Sequence, residues 1–140
     1  MFVDLTPEQH RLRQEVRDYF QALMTPELRL AMRGAESGDT YRELVRRMGR
    51  DGWLAVGWPT EFGGRGYKGT EQLIFFEEAN IAGAPLPFVT ISTVGPALME
   101  HGTALQKSRF LPGIAAGEIH FAIGYSEPEA GSDLATLKTT

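Results

Sequence analysis

The sequence contains no cysteine. That absence excludes a disulfide framework, a thiolate metal site and a cysteine nucleophile. There is no excess of basic charge either. Lys and Arg number 14 against 18 Asp and Glu, a net charge of -4 with no basic stripe, so nothing electrostatic points to nucleic acid. No apolar run approaches the roughly 20 residues that a membrane-spanning helix needs. The N-terminus, M-F-V-D-L-T-P-E, lacks a basic n-region and an apolar h-region, so it does not read as a signal peptide. Internal repeats and low-complexity tracts are missing too. His10, His101 and His120 stand alone, with no second ligand at metal spacing. The glycine-rich stretch lacks G-x-x-x-x-G-K-S/T and has no strand before it, which excludes a P-loop. What remains, at 42% hydrophobic and 23% charged residues, is an ordinary globular composition, and 140 residues suffice for a real core. A bacterial-type cytoplasmic protein is the default class.

Helix grammar dominates what is present. Thr6, Pro7, Glu8 and Gln9 make a capping box with proline at the first helical position, where its missing N–H costs nothing. Leu12, Val16, Tyr19, Phe20, Leu23 and Met24 follow as one apolar stripe. Thr25, Pro26 and Glu27 repeat the grammar and predict a short helix to about Arg33. Residues 34–39 read as a loop. Thr40 and Glu43 predict another capping box, opening a helix with Leu44, Val45 and Met48 on one face and Gly52 as its stop. Residues 53–69 are dense in glycine and read as an ordered loop. Trp53 and Trp58 within it read as core anchors. Thr70 is the expected cap of a helix carrying Leu73, Ile74, Phe76 and Ala79, which ends near Gly83.

Residues 88–99 are mostly apolar and predict a buried helix, with a kink or a junction at Pro96. Thr103 and Gln106 form a further capping box, and that helix is expected to close at Phe110 and Leu111, before Pro112. Residues 120–125 are short, β-compatible and bounded by turn residues, so they predict a strand. A lone strand needs partners for its ladder groups. The chain, which stops at Thr140, is therefore expected to be truncated, or completed by another chain. The domain reading is 1–118 for a helical domain and 119–140 for the start of a β-domain.

The stretch G-Y-S-E-P-E-A-G-S-D, residues 124–133, bears most on chemistry. Pro128 forces Glu127 into extended or turn geometry, and Gly131 takes φ > 0 freely. Such a turn can aim several N–H groups at an anion or an electron-rich heterocycle edge, with Ser126 and Ser132 as small donor-acceptors at its ends. The simpler reading of the same residues is a capped turn, with Ser132 and Asp133 bonding local backbone.

The stretch resembles the first signature of the acyl-CoA dehydrogenase family, matched at Gly124, Ser126, Glu127, Ala130, Gly131, Ser132 and Asp133. Tyr125 stands where an aliphatic residue is usual, and Thr136 where a very small one is. Further motifs resemble the family in order: Gly57, Trp58 and Pro59 with residues 61–66; Glu77, Glu78 and Ala79; and Gly102 and Thr103 with Phe110, Leu111, Pro112, Ala116, Gly117 and Glu118. The resemblance covers essentially the whole chain. It implies a mainly α fold, an N-terminal helical bundle of about six helices followed by the first strand of a β-domain. It implies FAD as cofactor, with Ile123, Gly124, Tyr125, Ser126, Gly131 and Ser132 along the flavin. It implies acyl-CoA as substrate, with Ser132 at the bound thioester and Phe88, Ile91 and Ser92 as candidate walls of the acyl pocket. Plain core packing is the simpler reading of those last three. The implied reaction is α,β-dehydrogenation, with an electron-transfer flavoprotein or similar acceptor and a homo- or hetero-oligomeric assembly. The implied base is a glutamate of a C-terminal helical domain, expected beyond Thr140, so no catalytic residue is assigned within the chain. Glu77, Glu78, Glu127 and Glu129 are not expected to serve, and Glu127 is expected to bond the turn. Family members that resemble bacterial steroid-side-chain enzymes share sites between unlike subunits. The alternative is therefore a non-catalytic helical subunit that completes a flavin site with a partner chain.

Overall fold

The computed structural model describes residues 4–34 and 37–138. Residues 35 and 36 of the loop read over 34–39, the first three residues of the N-terminus, and Thr139 and Thr140 lie outside that description. The base expected beyond Thr140 is therefore outside the described residues as well, as is the end of the segment read as 119–140. Among the described residues there are six α-helices: α1 (Pro7–Leu23), α2 (Pro26–Ala31), α3 (Asp39–Arg50), α4 (Gly69–Ala82), α5 (Gly95–His101) and α6 (Ala104–Ala115). The mainly α bundle inferred from the sequence is the fold observed.

Three of the expected caps form. The side chains of Thr6, Thr25 and Thr103 each accept the backbone N–H three residues on, and at Thr6 and Thr103 the glutamine returns the bond. Two do not. α3 begins at Asp39 rather than after Thr40. Its cap is Gly38 at φ +105°, a backbone that disfavours any side chain. Asp39 places its carboxylate in the first turn, where it pairs with Arg42 at 2.7 Å. α4 begins at Gly69 with Lys68 at the cap, two residues before Thr70, and the N–H of Lys68 donates to Glu71 Oε2 at 3.1 Å. α6 does not close at Leu111. It runs through Pro112 to Ala115, because only one bond is lost there and the N–H of Ala116 resumes the ladder on the Pro112 carbonyl.

α1 lies across α4. Val16 and Phe20 of α1 and Phe75 of α4 are fully buried, and the Phe20 and Phe75 rings lie 5.5 Å apart. Each such aromatic contributes roughly 1.5–3 kcal/mol by burial. The glycine-rich loop is part of the core, as its tryptophans suggest. Trp53 stacks on Phe75 at 6.1 Å, and the Arg65 guanidinium lies over its ring at 3.6 Å. One charged side chain is buried in this contact. Glu78 is 3% exposed and receives Nε and Nη2 of Arg17 at 3.0 and 2.8 Å.

The helix expected over residues 88–99 divides at Pro96 into a π-helical stretch, Val89–Val94, and α5. The segment is only half buried: Thr90 and Ile91 are inside, while Phe88 is 59% exposed. The strand expected over residues 120–125 is not formed. Those residues run without regular structure, and the single β pairing among the described residues is a bridge between Glu127 and Ala130. A strand needs a neighbour for its ladder, and none of the described residues supplies one. No helix among the described residues is long and apolar enough to cross a membrane.

Candidate functional site

The site grows out of the junction at Pro96. The N–H of Gly95 reaches back five residues to the Thr90 carbonyl. Pro96 has no N–H with which to continue that pattern onto Ile91. Trp58 fills the gap: its indole Nε1 donates to the Ile91 carbonyl at 2.8 Å. The π-helical stretch is thereby tied to the glycine-rich loop, with no buried acceptor left open at that point. Residues 83–90 then pass along the mouth of a groove of ≈ 910 Å³. Pro85, Leu86, Pro87 and Phe88 form one side, Tyr41 and Arg42 of α3 stand at another, and residues 120–123 complete it.

The structure brings Phe88 and Ile123 into this one groove. They are drawn from the two separate sets of site residues, the acyl wall and the flavin edge. Ile91 and Ser92 do not join them. Ile91 is 4% exposed and belongs to the core, and both residues line a second, smaller cavity of ≈ 280 Å³ with Trp58, Gln72 and Phe76. For Ile91 the core-packing reading describes what is seen.

Downstream, Gly124, Tyr125, Ser126, Gly131 and Ser132 are all exposed. The turn closes on itself: Glu127 and Ala130 exchange both main-chain bonds, at 2.8 and 3.1 Å, around Pro128. Asp133 Oδ1 accepts the Ala135 N–H at 3.1 Å, and Glu127 Oε2 accepts the Lys138 N–H at 2.8 Å. The capped-turn reading is therefore observed for Asp133; the Glu127 main chain closes the turn with Ala130, while its carboxylate reaches Lys138 beyond it. Ser132 does not take part. Among the described residues neither the Ser126 nor the Ser132 hydroxyl has a hydrogen-bond partner. Beside Gly124 and Gly131 a Cβ would meet nothing within 4 Å. An exposed main chain, two free hydroxyls and open space at both glycines fit one polar edge of a flat heterocycle such as a flavin.

The carboxylates near these elements have other duties. Glu77 pairs with Arg13, and Glu78 with Arg17. The two Arg17 bonds hold the Glu78 carboxyl below its ordinary value of 4.5 against the opposing effect of burial. His120 lies on the groove, with Nε2 3.2 Å from the Gly117 carbonyl and its ring 6.0 Å from Tyr41.

Sequence reasoning missed two residues that shape the site. Trp58 was legible as a core anchor, but not as the donor to a carbonyl orphaned by Pro96. By sequence Thr90 is only a small polar residue in the mostly apolar run 88–99. The available signal was that a buried hydroxyl between Val89 and Ile91 must find a partner. It does so on the main chain of Phe121.

Residues 6–118 match the family described as acyl-CoA dehydrogenase, N-terminal domain. Acyl-CoA dehydrogenase FadE29 of Mycobacterium tuberculosis is 59% identical over 140 residues, covering 100% of this chain and 36% of the relative. Acyl-CoA dehydrogenase IpdE1 of Mycolicibacterium smegmatis is 39% identical over 107 residues, 75% of this chain and 27% of the relative. Among solved structures, a chain of the ChsE4-ChsE5 complex from Mycobacterium tuberculosis matches with a TM-score of 0.90 at 58% identity, over 100% of this chain and 36% of that one. A chain of the Tcur3481-Tcur3483 steroid ACAD matches with a TM-score of 0.90 at 48% identity, over 98% and 36%. The chain thus spans about a third of the length of these relatives. With the match running through the helical bundle and on through the turn, the chain belongs to the acyl-CoA dehydrogenase family.

Proposed function

We propose that this chain forms one wall of a site in which an FAD-dependent enzyme carries out α,β-dehydrogenation of an acyl-CoA thioester. The observation that carries the reading is the groove of ≈ 910 Å³ lined by both Phe88 and Ile123. Main-chain groups of residues 123–126, with the Ser126 and Ser132 hydroxyls, hold the polar edge of the flavin, and Gly131 lets the backbone come close. Ser132 also meets the thioester. Phe88, with Pro85, Leu86 and Pro87, offers an apolar wall that excludes water from the acyl group. Bound flavin supplies a two-electron acceptor for the β-hydride. The base that takes the α-proton is, as the family resemblance implies, a glutamate beyond Thr140; Glu77, Glu78 and Glu127 are engaged in structural pairs, in keeping with that. The boundary near residue 118, a cytoplasmic setting and an electron-transfer flavoprotein as acceptor belong to the same reading.

The acyl group is read as bulky and ring-bearing. A relative of this chain is a steroid ACAD, and a wide groove edged by rigid prolines suits such a group better than a short chain. A second reading is favoured by the two-component relatives ChsE4-ChsE5 and Tcur3481-Tcur3483. In it, this chain belongs to a subunit that completes a flavin site on an unlike partner. One experiment separates the two. The whole gene product is purified alone and after co-expression with an unlike chain of the same family. Flavin absorbance and oxidation of a steroid-side-chain CoA thioester are then measured. Yellow, active protein without that chain supports the first reading, and flavin that appears only in the complex supports the second. A colourless, inactive product in both cases sinks both.

A further inference from the structure

Where the chain leaves the helical bundle, one side chain holds it. The Phe121 N–H donates to Thr90 Oγ1 at 2.9 Å, and that hydroxyl donates to the Phe121 carbonyl at 3.3 Å. Two residues of an antiparallel hydrogen-bonded pair exchange both main-chain bonds in the same way. Thr90, at 2% exposed, thus stands in for a neighbouring strand at one position. Phe121 is half-buried and sits 5.9 Å from the Phe110 ring. From the next residue on the chain is exposed as far as Ser126. Phe121 is therefore the last tethered residue before the flavin-facing segment.

Thr90 lies within the π-helical stretch, Val89–Val94. Trp58 maintains that stretch by taking up the Ile91 carbonyl. Its ring also fills the space at Gly95, where a Cβ would lie 2.0 Å from Cζ2. A contiguous set of contacts therefore runs from the glycine-rich loop, through Trp58 and the π-helical stretch, to Thr90 and Phe121.

We propose that Thr90 is a positioning residue for the cofactor site: its hydroxyl sets the depth and register at which residues 123–126 meet the flavin. This rests on the flavin reading above. Valine in its place keeps the shape but leaves two main-chain groups of Phe121 without their partner, whereas serine keeps the hydroxyl.

The test uses the whole gene product, with its partner if one is needed, as wild type, Thr90→Val and Thr90→Ser. Amide exchange over residues 119–126, FAD dissociation constant and thermal midpoint are read together. Thr90→Val is expected to exchange at Phe121 about tenfold faster and to bind FAD about tenfold more weakly. Its thermal midpoint should fall by a few degrees at most, and Thr90→Ser should restore both readouts to within about threefold. Unchanged exchange in Thr90→Val overturns the proposal. So does faster exchange with unchanged FAD affinity, or a serine variant as impaired as the valine. A valine variant that fails to fold, alongside a serine variant with weakened FAD binding, also overturns it. A wild-type protein that takes up no FAD defeats the flavin reading itself, an outcome visible before any variant is compared.

Discussion

Glu78 is the residue whose chemistry most exceeds its local signal. It is buried in α4 and bonded twice by Arg17, 61 residues earlier in the chain. Its carboxyl is held below its ordinary value, so in the unfolded chain it binds a proton more readily than in the native state. The stabilisation is fully present above the ordinary value of 4.5 and is lost as pH falls through the lower native value. Thermal midpoints measured from pH 6 down to about pH 3 should fall steeply in wild type and less steeply in Glu78→Gln. Parallel curves would show that the pair carries no linked stability. Nothing in the sequence separates Glu78 from Glu77, which is 46% exposed and paired with Arg13. Only the crossing of α1 over α4 decides which of the two is buried. Ser132 makes the opposite case. Its place in the signature was readable, and the structure leaves its hydroxyl exposed and without a partner among the described residues. Ser132→Ala in the whole enzyme should weaken FAD retention or raise KM for the thioester, with an unchanged circular dichroism spectrum and thermal midpoint. Unaltered flavin content and kinetics would remove it from the site.

At the scale of elements, legibility followed the range of the interaction. The Thr6, Thr25 and Thr103 caps depend on atoms three residues apart, so their spacing is visible in one dimension. The same grammar misled at Thr40 and Thr70. There the caps fall two residues earlier, at Gly38 and Lys68, so neither threonine stands where its side chain could cap. Pro96 was readable as a break, but not as the reason that Trp58 is needed. Gly95→Ala tests that junction. The added Cβ would collide with the Trp58 ring, and the buried Thr90 and Ile91 nearby limit any adjustment. A loss of roughly 1–3 kcal/mol in urea unfolding is expected, with the tryptophan fluorescence of the folded state also altered. A variant of wild-type stability would mean that the π-helical stretch yields without penalty.

For the whole molecule, the strand predicted over residues 120–125 is instructive. Its composition suits a sheet, yet the described residues supply only the Thr90 hydroxyl, at one position. A sheet requires neighbours, and β-compatible sequence alone makes none. In the whole gene product, amide protection over residues 122–126 should therefore exceed that of the isolated 140-residue chain, as seen by hydrogen exchange. Equal exchange in both would show that these residues gain no ladder partner outside the chain.

By itself, the sequence determined the helix positions, the breaks at glycine and proline, and the family, because caps, turns and ordered motifs are written in the separation of near neighbours. The tertiary structure alone decided that Glu78 is buried on Arg17, that Trp58 serves the Ile91 carbonyl, that Thr90 grips Phe121, and that Phe88 shares a groove with Ile123. The hydrogen-bonded partners among these lie 61, 33 and 31 residues apart. Groups so distant along the chain meet only when the whole fold assembles, and no local periodicity encodes where they meet.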